Sequence, residues 1–188
     1  MPVIVRFFWR HGFSGTNLDQ LARELGVTKP TLFRTLGDKE SIFIRALEEY
    51  YRVHIRPGED ALETAGSLHE ALEACFGTSV DRTIDLDNPP GCFLTDSAYS
   101  GMFNVGPVAD AIGALQQRTL TLLQRRIRDA IDEGELRADA DPDAALRYLL
   151  SQFAAVSALS RLTTDRDELD TVVGFMIDGL PWAGGDHG

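Results

Sequence analysis

Cysteine and long apolar runs are scarce in this sequence, and each scarcity excludes a class of protein. Only two cysteines occur in 188 residues, which is too few for a disulfide framework and is typical of a reducing cytosol. No apolar run reaches the roughly 18 residues that a membrane-spanning helix needs. Residues 1–13 are apolar but carry Arg6, Arg10 and His11 and lack a small-residue cleavage site, which argues against a secretory signal. These features predict a cytoplasmic protein with no membrane partner.

Catalytic and metal-binding motifs are also missing. The sequence has no glycine-rich phosphate loop, no nucleophile elbow and no Cys-x-x-Cys pair. His69, Glu70 and Glu73 resemble half of a metal site, but no second histidine follows four residues later, and the other three histidines are scattered. We therefore expect no catalytic residue, no metal and no cofactor, and an enzyme is the disfavoured alternative.

Charge is divided unevenly along the chain. Residues 1–57 hold nine Lys or Arg and six Asp or Glu, a net charge of +3. Residues 58–188 hold nine Arg and twenty-three Asp or Glu, a net charge of −14, and the two parts together give the −11 of the whole chain. The basic part would attract a polyanion such as DNA. The acidic part would repel DNA, or its charge would simply favour solubility.

The most informative pattern is residues 17–36, NLDQLARELGVTKPTLFRTL. Four apolar residues fall at i, i+3, i+4 and i+7, which is one face of a helix: Leu18, Leu21, Ala22 and Leu25. Gly26 then supplies a turn position that is either left-handed or closely packed. Thr28 can cap a second helix, and Pro30 suits its first turn, where a missing N–H does no harm. The pattern predicts a helix-turn-helix, with a close helix crossing at Ala22 and Gly26.

The flanking residues extend this pattern into a family signature. Gly12-Phe13-Ser14-Gly15-Thr16 precedes the motif, and Gly37-Asp38-Lys39-Glu40 follows it. A glycine-aromatic pair, a Thr cap, Ala and Gly four residues apart, an aromatic residue, a glycine and Lys-Glu occur in that order. The run from Phe7 to Leu47 resembles the DNA-binding domain of the bacterial TetR/AcrR family of transcriptional repressors.

The resemblance implies an all-α fold with two functional parts. A helix-turn-helix DNA-binding domain would occupy residues 1–47, with a shortened first helix, and a helical ligand-binding and dimerisation domain residues 48–188. Apolar periodicity predicts about nine helices, a three-helix head and a larger body, without strand-like alternation. We expect Thr16 with Asp19 to cap the second helix and Asp38 the fourth. The fourth helix should end near Arg56, where Pro57-Gly58 would break it.

Side chains at the start of the recognition helix should meet DNA, because the leading residues of such a helix face base edges. Lys29 can donate to guanine, and Thr31 can bond a base or touch a thymine methyl group. Phe33 stands where the family usually carries Tyr, which removes a hydroxyl that could bond phosphate. The alternatives are capping alone for Thr16 and Thr28 and a solvated surface side chain for Lys29. The predicted DNA-binding residues are Thr16, Thr28, Lys29, Pro30, Thr31, Phe33, Arg34 and Lys39.

Family resemblance also implies a cavity for a small-molecule effector among helices four to eight. Apolar residues with a few polar ones are expected to line it, namely Phe76, Cys92, Phe93, Thr95, Tyr99, Met102, Phe103 and Leu122. The alternative for each is ordinary core. Cys92 follows Pro-Pro-Gly near a helix start, where a thiolate is favoured, so a reactive sensor is a second hypothesis beside a buried apolar residue.

The last two helices have apolar faces that could form a four-helix dimer interface, carried by Leu146, Leu150, Phe153, Val172, Phe175 and Met176. The alternative is burial within one chain. The function implied is a repressor that binds an inverted-repeat operator in double-stranded DNA as a homodimer and is released by an effector.

A second interpretation starts from the beginning of the chain. Family members usually carry a basic N-terminal arm and a longer first helix, whereas Met1-Pro2 already stands inside that helix. Either the true start lies upstream or the arm is absent. Loss of the arm would remove minor-groove or phosphate contacts, reduce core support for the head and weaken DNA binding. The alternative is a TetR-like module that binds a ligand or another protein.

Overall fold

A computed structural model gives the structure of the protein and describes residues 1–100 and 105–184. Its helices are α1 (Pro2–Gly15), α2 (Leu18–Glu24), α3 (Lys29–Leu36), α4 (Lys39–Tyr50), a π-helical segment (Tyr51–Ile55), α5 (Arg56–Thr64), α6 (Leu68–Ile84), α7 (Phe93–Tyr99), α8 (Pro107–Asp132), α9 (Pro142–Leu159) and α10 (Arg166–Asp178). Because α4, the π segment and α5 follow without a break, the described residues form nine helical rods, with one isolated β-bridge between Leu136 and Trp182. The all-α prediction is confirmed.

The head consists of α1, α2, α3 and the first turns of α4, and an apolar cluster holds it together. Phe8, Leu21 and Phe43 are fully or almost fully buried in it. The Phe43 ring lies edge-on to that of Phe8, with centroids 5.1 Å apart. Such aromatic pairs add roughly 0.5–1.5 kcal/mol beyond the burial of their area. Phe93 of α7 belongs to the same cluster, so the head shares its core with part of the body.

Helix ends follow the capping rules at most of the predicted places. The Thr28 hydroxyl accepts from the Thr31 N–H at 3.3 Å, and the Asp38 carboxylate accepts from the Ser41 N–H at 2.9 Å. The cap of α2 is a correction: Asn17 accepts from the backbone N–H groups of Asp19 and Gln20. Thr16 cannot take that place because its hydroxyl donates to the Gly12 carbonyl at 2.6 Å.

The turn between α2 and α3 depends on the backbone of Gly26, and not on a close crossing. Gly26 has φ of +68°, the left-handed region that favours glycine. The Val27 N–H reaches back to the Ala22 carbonyl at 3.0 Å, which closes the end of α2. A Cβ placed on Gly26 would meet nothing within 4 Å. The predicted close approach of helices is therefore wrong at Gly26, whereas Ala22 is buried.

The helical rod from Lys39 to Thr64 does not break at Pro57-Gly58, contrary to prediction. The Arg56 N–H donates to the Tyr51 carbonyl in the π pattern, and Pro57 then lies in the first turn of α5, where no N–H is needed. A Cβ on Gly58 would lie 3.0 Å from the Thr78 hydroxyl and 3.1 Å from the Cys75 sulfur. Glycine at this position allows α5 to pack closely on α6, and a larger residue would require these two side chains to shift.

A second apolar cluster, built from α5, α6, α8, α9 and α10, forms the core of the body. Its fully buried members include Leu62, Leu72, Phe76, Leu123 and Leu149. No helix in the described ranges combines the length and apolar character that crossing a membrane requires.

Substitution of two helical glycines should separate close packing from helix propensity. We expect Gly58→Ala to be less stable than Gly77→Ala by about 1–3 kcal/mol, because only the first new methyl group is forced against neighbouring atoms. Both changes bring the same gain in helix propensity. Urea denaturation gives the free energies of unfolding, and equal stability of the two variants would contradict the tight α5–α6 contact.

Candidate DNA-binding surface and internal cavity

The start of α3 presents an exposed polar surface. Thr28, Lys29 and Arg34 are exposed and Thr31 is partly exposed, as expected for side chains that reach a partner. The hydroxyls of Thr28 and Thr31 lie 3.0 Å apart. Pro30 and Phe33 are also exposed on this helix. The capping and exposure of Thr28 coexist, so the two roles considered for it do not compete.

Lys29 already has a partner in this structure. Its Nζ lies 2.9 Å from the Asp19 carboxylate on α2. Both side chains are about half exposed, and such surface pairs contribute roughly 0.2–1 kcal/mol. Lys29 must therefore leave Asp19, or be shared with it, before it can donate to a base.

Two further predicted DNA contacts lie at the edges of this surface. Lys39, at the start of α4, has its ammonium 4.7 Å from the centroid of the Phe13 ring, and burial lowers its pKa. Free N–H groups at a helix start attract phosphate, which suits this position. Thr16, in contrast, is only 4% exposed and its hydroxyl is engaged by Gly12, so it could reach a phosphate only if that hydrogen bond broke.

A cavity of about 240 Å³ lies in the body, walled by the π segment and helices α5 to α9. Three of the residues predicted to line it do so: Cys92, Thr95 and Tyr99. Polar and charged side chains that the prediction missed form much of the remaining wall, namely His54, Glu59, Thr78, Ser79, Arg82, Gln116 and Thr119. One signal was present in the sequence, since Cys75, Ser79 and Arg82 recur at i, i+4 and i+7 on one face of α6.

Three other predicted lining residues lie outside this cavity wall. Phe76 is fully buried and stacks on Phe153, with centroids 4.3 Å apart. Phe93 packs edge-on to Phe43 on the head side, and Leu122 is buried in the body cluster. These aromatic and leucine side chains lie in the core instead of the cavity wall, because removing their large apolar area from water is strongly favourable. Met102 and Phe103 lie outside the described residues.

Glu59 is the acidic group of the cavity, and its carboxylate is well supplied with donors. It is 3% exposed, accepts from the Thr119 hydroxyl at 2.6 Å and accepts from the Tyr51 hydroxyl. Burial and the bond to Glu59 raise the pKa of Tyr51. Arg56 adds a charge 3.8 Å away. These partners stabilise a buried carboxylate that would otherwise be costly.

Basic and sulfur groups of the cavity also have shifted pKa values. Burial, followed by the positive charge of Arg82, lowers the pKa of His54 to about 4. Burial raises the pKa of the Cys75 thiol to about 12. Both side chains are therefore uncharged at neutral pH. Within the part of the chain that the structure describes, no group of three or more His, Cys, Asp or Glu is arranged to hold a metal ion.

The predicted dimer residues divide into buried and exposed ones. Leu146 and Met176 are buried in the body cluster, and Val172 packs against it. Leu150 and Phe153 line the cavity. Phe175 on α10 is 72% exposed, so among the six it offers by far the most apolar surface to a second chain.

Comparison with known proteins identifies the family. The model described as "Bacterial regulatory proteins, tetR family" matches residues 3–46, and the one described as "Tetracyclin repressor-like, C-terminal domain" matches residues 68–176. The chain belongs to the TetR family. It is accordingly a DNA-binding transcriptional regulator and not an enzyme.

Relatives and solved structures agree with this assignment. The uncharacterized HTH-type transcriptional regulator YezE of Bacillus subtilis (strain 168) is 26% identical over 177 residues, covering 94% of this chain and 91% of YezE. The HTH-type transcriptional repressor ComR of Escherichia coli (strain K12) is 26% identical, covering 90% of this chain and 81% of ComR. A cysteine mutant of the TetR family regulator CifR, solved with a 26-bp double-stranded operator, is 27% identical with a TM-score of 0.84, covering 96% of this chain and 94% of that chain.

The lowered pKa of His54 should make stability depend on pH. Between its unfolded value of 6.5 and about 4, the unfolded chain binds a proton that the folded chain does not. The contribution of His54 to the free energy of unfolding is therefore present above pH 6.5 and is lost as the pH falls toward about 4. We expect His54→Gln to lose less stability than the wild type between about pH 7 and about pH 5 in urea denaturation.

The control for this experiment is Gln116→Ala, which changes the wall of the same cavity without removing an ionisable group. It should follow the pH dependence of the wild type. If His54→Gln also followed the wild type, His54 would not be held neutral by its surroundings.

Neutralising Asp19 should strengthen binding to operator DNA. The Asp19→Asn change releases Lys29 and removes a negative charge beside it, so we expect binding up to about fivefold tighter, the equivalent of roughly 1 kcal/mol. Glu24→Gln makes the same charge change on the same helix, roughly 140° around its axis, and should alter the affinity less. Fluorescence anisotropy measures both, and an unchanged or weaker affinity in Asp19→Asn would show that the pair does not restrain Lys29.

Proposed function

We propose that the protein is a ligand-responsive repressor that binds an inverted-repeat operator as a homodimer and is released by a small-molecule effector. The continuous rod from Lys39 to Thr64 carries this proposal. Its first turns belong to the head, and its later residues His54, Ile55, Gly58 and Glu59 line the cavity. A change in the cavity wall can therefore displace the head without any intervening flexible segment.

The DNA-reading part of the proposal assigns roles to the exposed residues of α3. Lys29 donates to guanine after leaving Asp19, and Thr31 contacts a base. Thr28, Arg34 and the α4 start at Lys39 hold phosphates, which positions the helix without reading sequence. Phe33 and Pro30 add apolar contact with the groove. Thr16 contributes less to phosphate binding than these residues, because its hydroxyl donates to the Gly12 carbonyl within the head.

Dimerisation places two such heads on successive turns of the major groove, roughly 34–36 Å apart. The exposed Phe175 supports an interface on α10, with Val172 beside it. The other four residues predicted for this interface are buried or partly buried within the chain: Leu146, Leu150, Phe153 and Met176. The boundary that we propose between the DNA-binding part, residues 1–47, and the body, residues 48–188, falls inside α4, which links the two.

Effector binding shifts the population between two arrangements of the rod. A ligand can shift that equilibrium only by its differential affinity for the two states, about 1–3 kcal/mol in coupled systems. A π segment is a suitable place for such a change, because π-bulges inside α-helices occur frequently at functional sites. We place the protein in the cytoplasm, where a bacterial DNA-binding regulator meets its operator.

The proposal is tested by operator binding. The operator is selected from fragments of the source genome, and anisotropy titrations then compare the full inverted repeat, a single half-site and random duplex. We expect the full repeat to bind about a hundredfold tighter than the half-site, with affinity that falls steeply as salt rises. Lys29→Met should cost about 1–3 kcal/mol of binding, whereas Arg147→Met, an exposed change on α9, should cost almost nothing.

Absence of any preference over random duplex near 0.15 M salt would reject the repressor. It would favour the alternative interpretation, a TetR-like module that binds a ligand or a protein. Equal binding to the half-site and the full repeat would reject the homodimer on DNA.

A further inference from the structure

Arg82 is a buried charge in the cavity wall that lacks a matching partner. It lies on α6, lines the cavity and is 8% exposed. Within residues 1–100 and 105–184 its Nε donates to no acceptor, and no carboxylate lies within 4.0 Å of the guanidinium. Its Nη1 makes one long hydrogen bond, 3.5 Å, to the His54 carbonyl. Arginine keeps its charge in proteins, so this guanidinium is a buried cation with unused donors.

The groups around Arg82 do not neutralise it. Tyr50, Cys75 and Cys92 are close enough to interact with its charge. Burial raises the pKa of Tyr50 and of Cys75, so neither side chain carries a negative charge at neutral pH. Asp96 is engaged by Arg161 at 2.5 Å. His54 also interacts with the charge of Arg82, and that side chain is neutral because its pKa is about 4.

The acidic end of the same cavity is different. The carboxylate of Glu59 accepts from Thr119 and Tyr51 and lies 3.8 Å from Arg56. The negative charge of the cavity is therefore compensated by protein groups, whereas the positive charge is not. Leaving a buried ion unpaired is unfavourable, and a bound anion that accepts hydrogen bonds from it removes that penalty.

We propose that the cavity binds an organic carboxylate with a compact apolar body, whose carboxylate group accepts hydrogen bonds from Arg82. This rests on the proposed function, because it names the chemical class of the effector. Leu94, Leu120 and Leu150 supply apolar wall for the body of the ligand, and a volume of about 240 Å³ suits a small molecule. A single negative charge matches the single unpaired guanidinium, whereas a dianion would bring surplus charge toward Glu59.

Arg82 would contact both the ligand and the helical rod from Lys39 to Thr64. Arg82 donates to the carbonyl of His54, which lies in the π segment between α4 and α5. A carboxylate that draws the guanidinium toward itself competes with this long bond. Ligand binding at Arg82 therefore acts on the segment that connects the cavity wall to the head.

The experiment compares carboxylates with their uncharged amides on the full chain. Isothermal titration calorimetry measures binding of phenylacetate, cinnamate and octanoate, and of phenylacetamide, cinnamamide and octanamide. We expect at least one carboxylate to bind at least about tenfold tighter than its amide, since a charge-assisted bond to arginine has no equivalent in the amide. Arg82→Met should abolish this preference, Arg82→Lys should keep part of it, and Arg128→Met, an exposed change on α8, should leave it intact.

Three results would overturn the proposal: no carboxylate binds, the amides bind as tightly as the carboxylates, or the preference survives in Arg82→Met. The comparison within the wild type remains decisive if a variant fails to fold. Operator affinity is measured in the same samples. Carboxylate binding that leaves operator affinity unchanged would keep the anion site and reject the ligand-controlled repressor. Intact operator binding without carboxylate binding would reject only the anion site.

Discussion

The unbroken helical rod from Lys39 to Thr64 is the constraint on which the rest of the structure depends. Its first half packs Phe43 and Leu47 into the head, and its second half forms a wall of the cavity. The close contact of Gly58 with α6 fixes how near the second half of the rod lies to α6. Because a helix resists bending, a displacement at one end has to appear at the other or be absorbed in the π segment between them.

The head shares its apolar core with α7 of the body, and this limits how the head can move. Phe8 of α1, Phe43 of α4 and Phe93 of α7 lie in one apolar cluster, and separating such groups would cost several kcal/mol. A ligand that supplies 1–3 kcal/mol of coupling cannot expose that cluster. Movement of the head together with the rod, with the cluster intact, is the change that this energy allows.

Unequal treatment of two buried charges distinguishes the cavity from the surrounding core. Glu59 has two hydroxyl donors and a nearby arginine, so its negative charge is stabilised by the fold itself. Among the residues that the structure describes, Arg82 makes only one long hydrogen bond, to the His54 carbonyl. Electrostatic interactions are stronger in a medium of low polarity than at the surface, so the lack of a partner for Arg82 has a larger effect inside the cavity. It gives the cavity a preference for a negatively charged ligand.

Local chemistry was enough to predict the helix-turn-helix, the caps at Thr28 and Asp38, and the exposed polar start of α3. These features depend on residues within a few positions of one another, such as a hydroxyl and the N–H three residues later. The course of the chain through Pro57-Gly58, the core position of Phe76 and the uncompensated charge of Arg82 were decided only by the tertiary structure. Each depends on which helix packs against which, because a glycine, an aromatic ring or a guanidinium has the same local propensity whether it meets a neighbouring helix, a cavity or water.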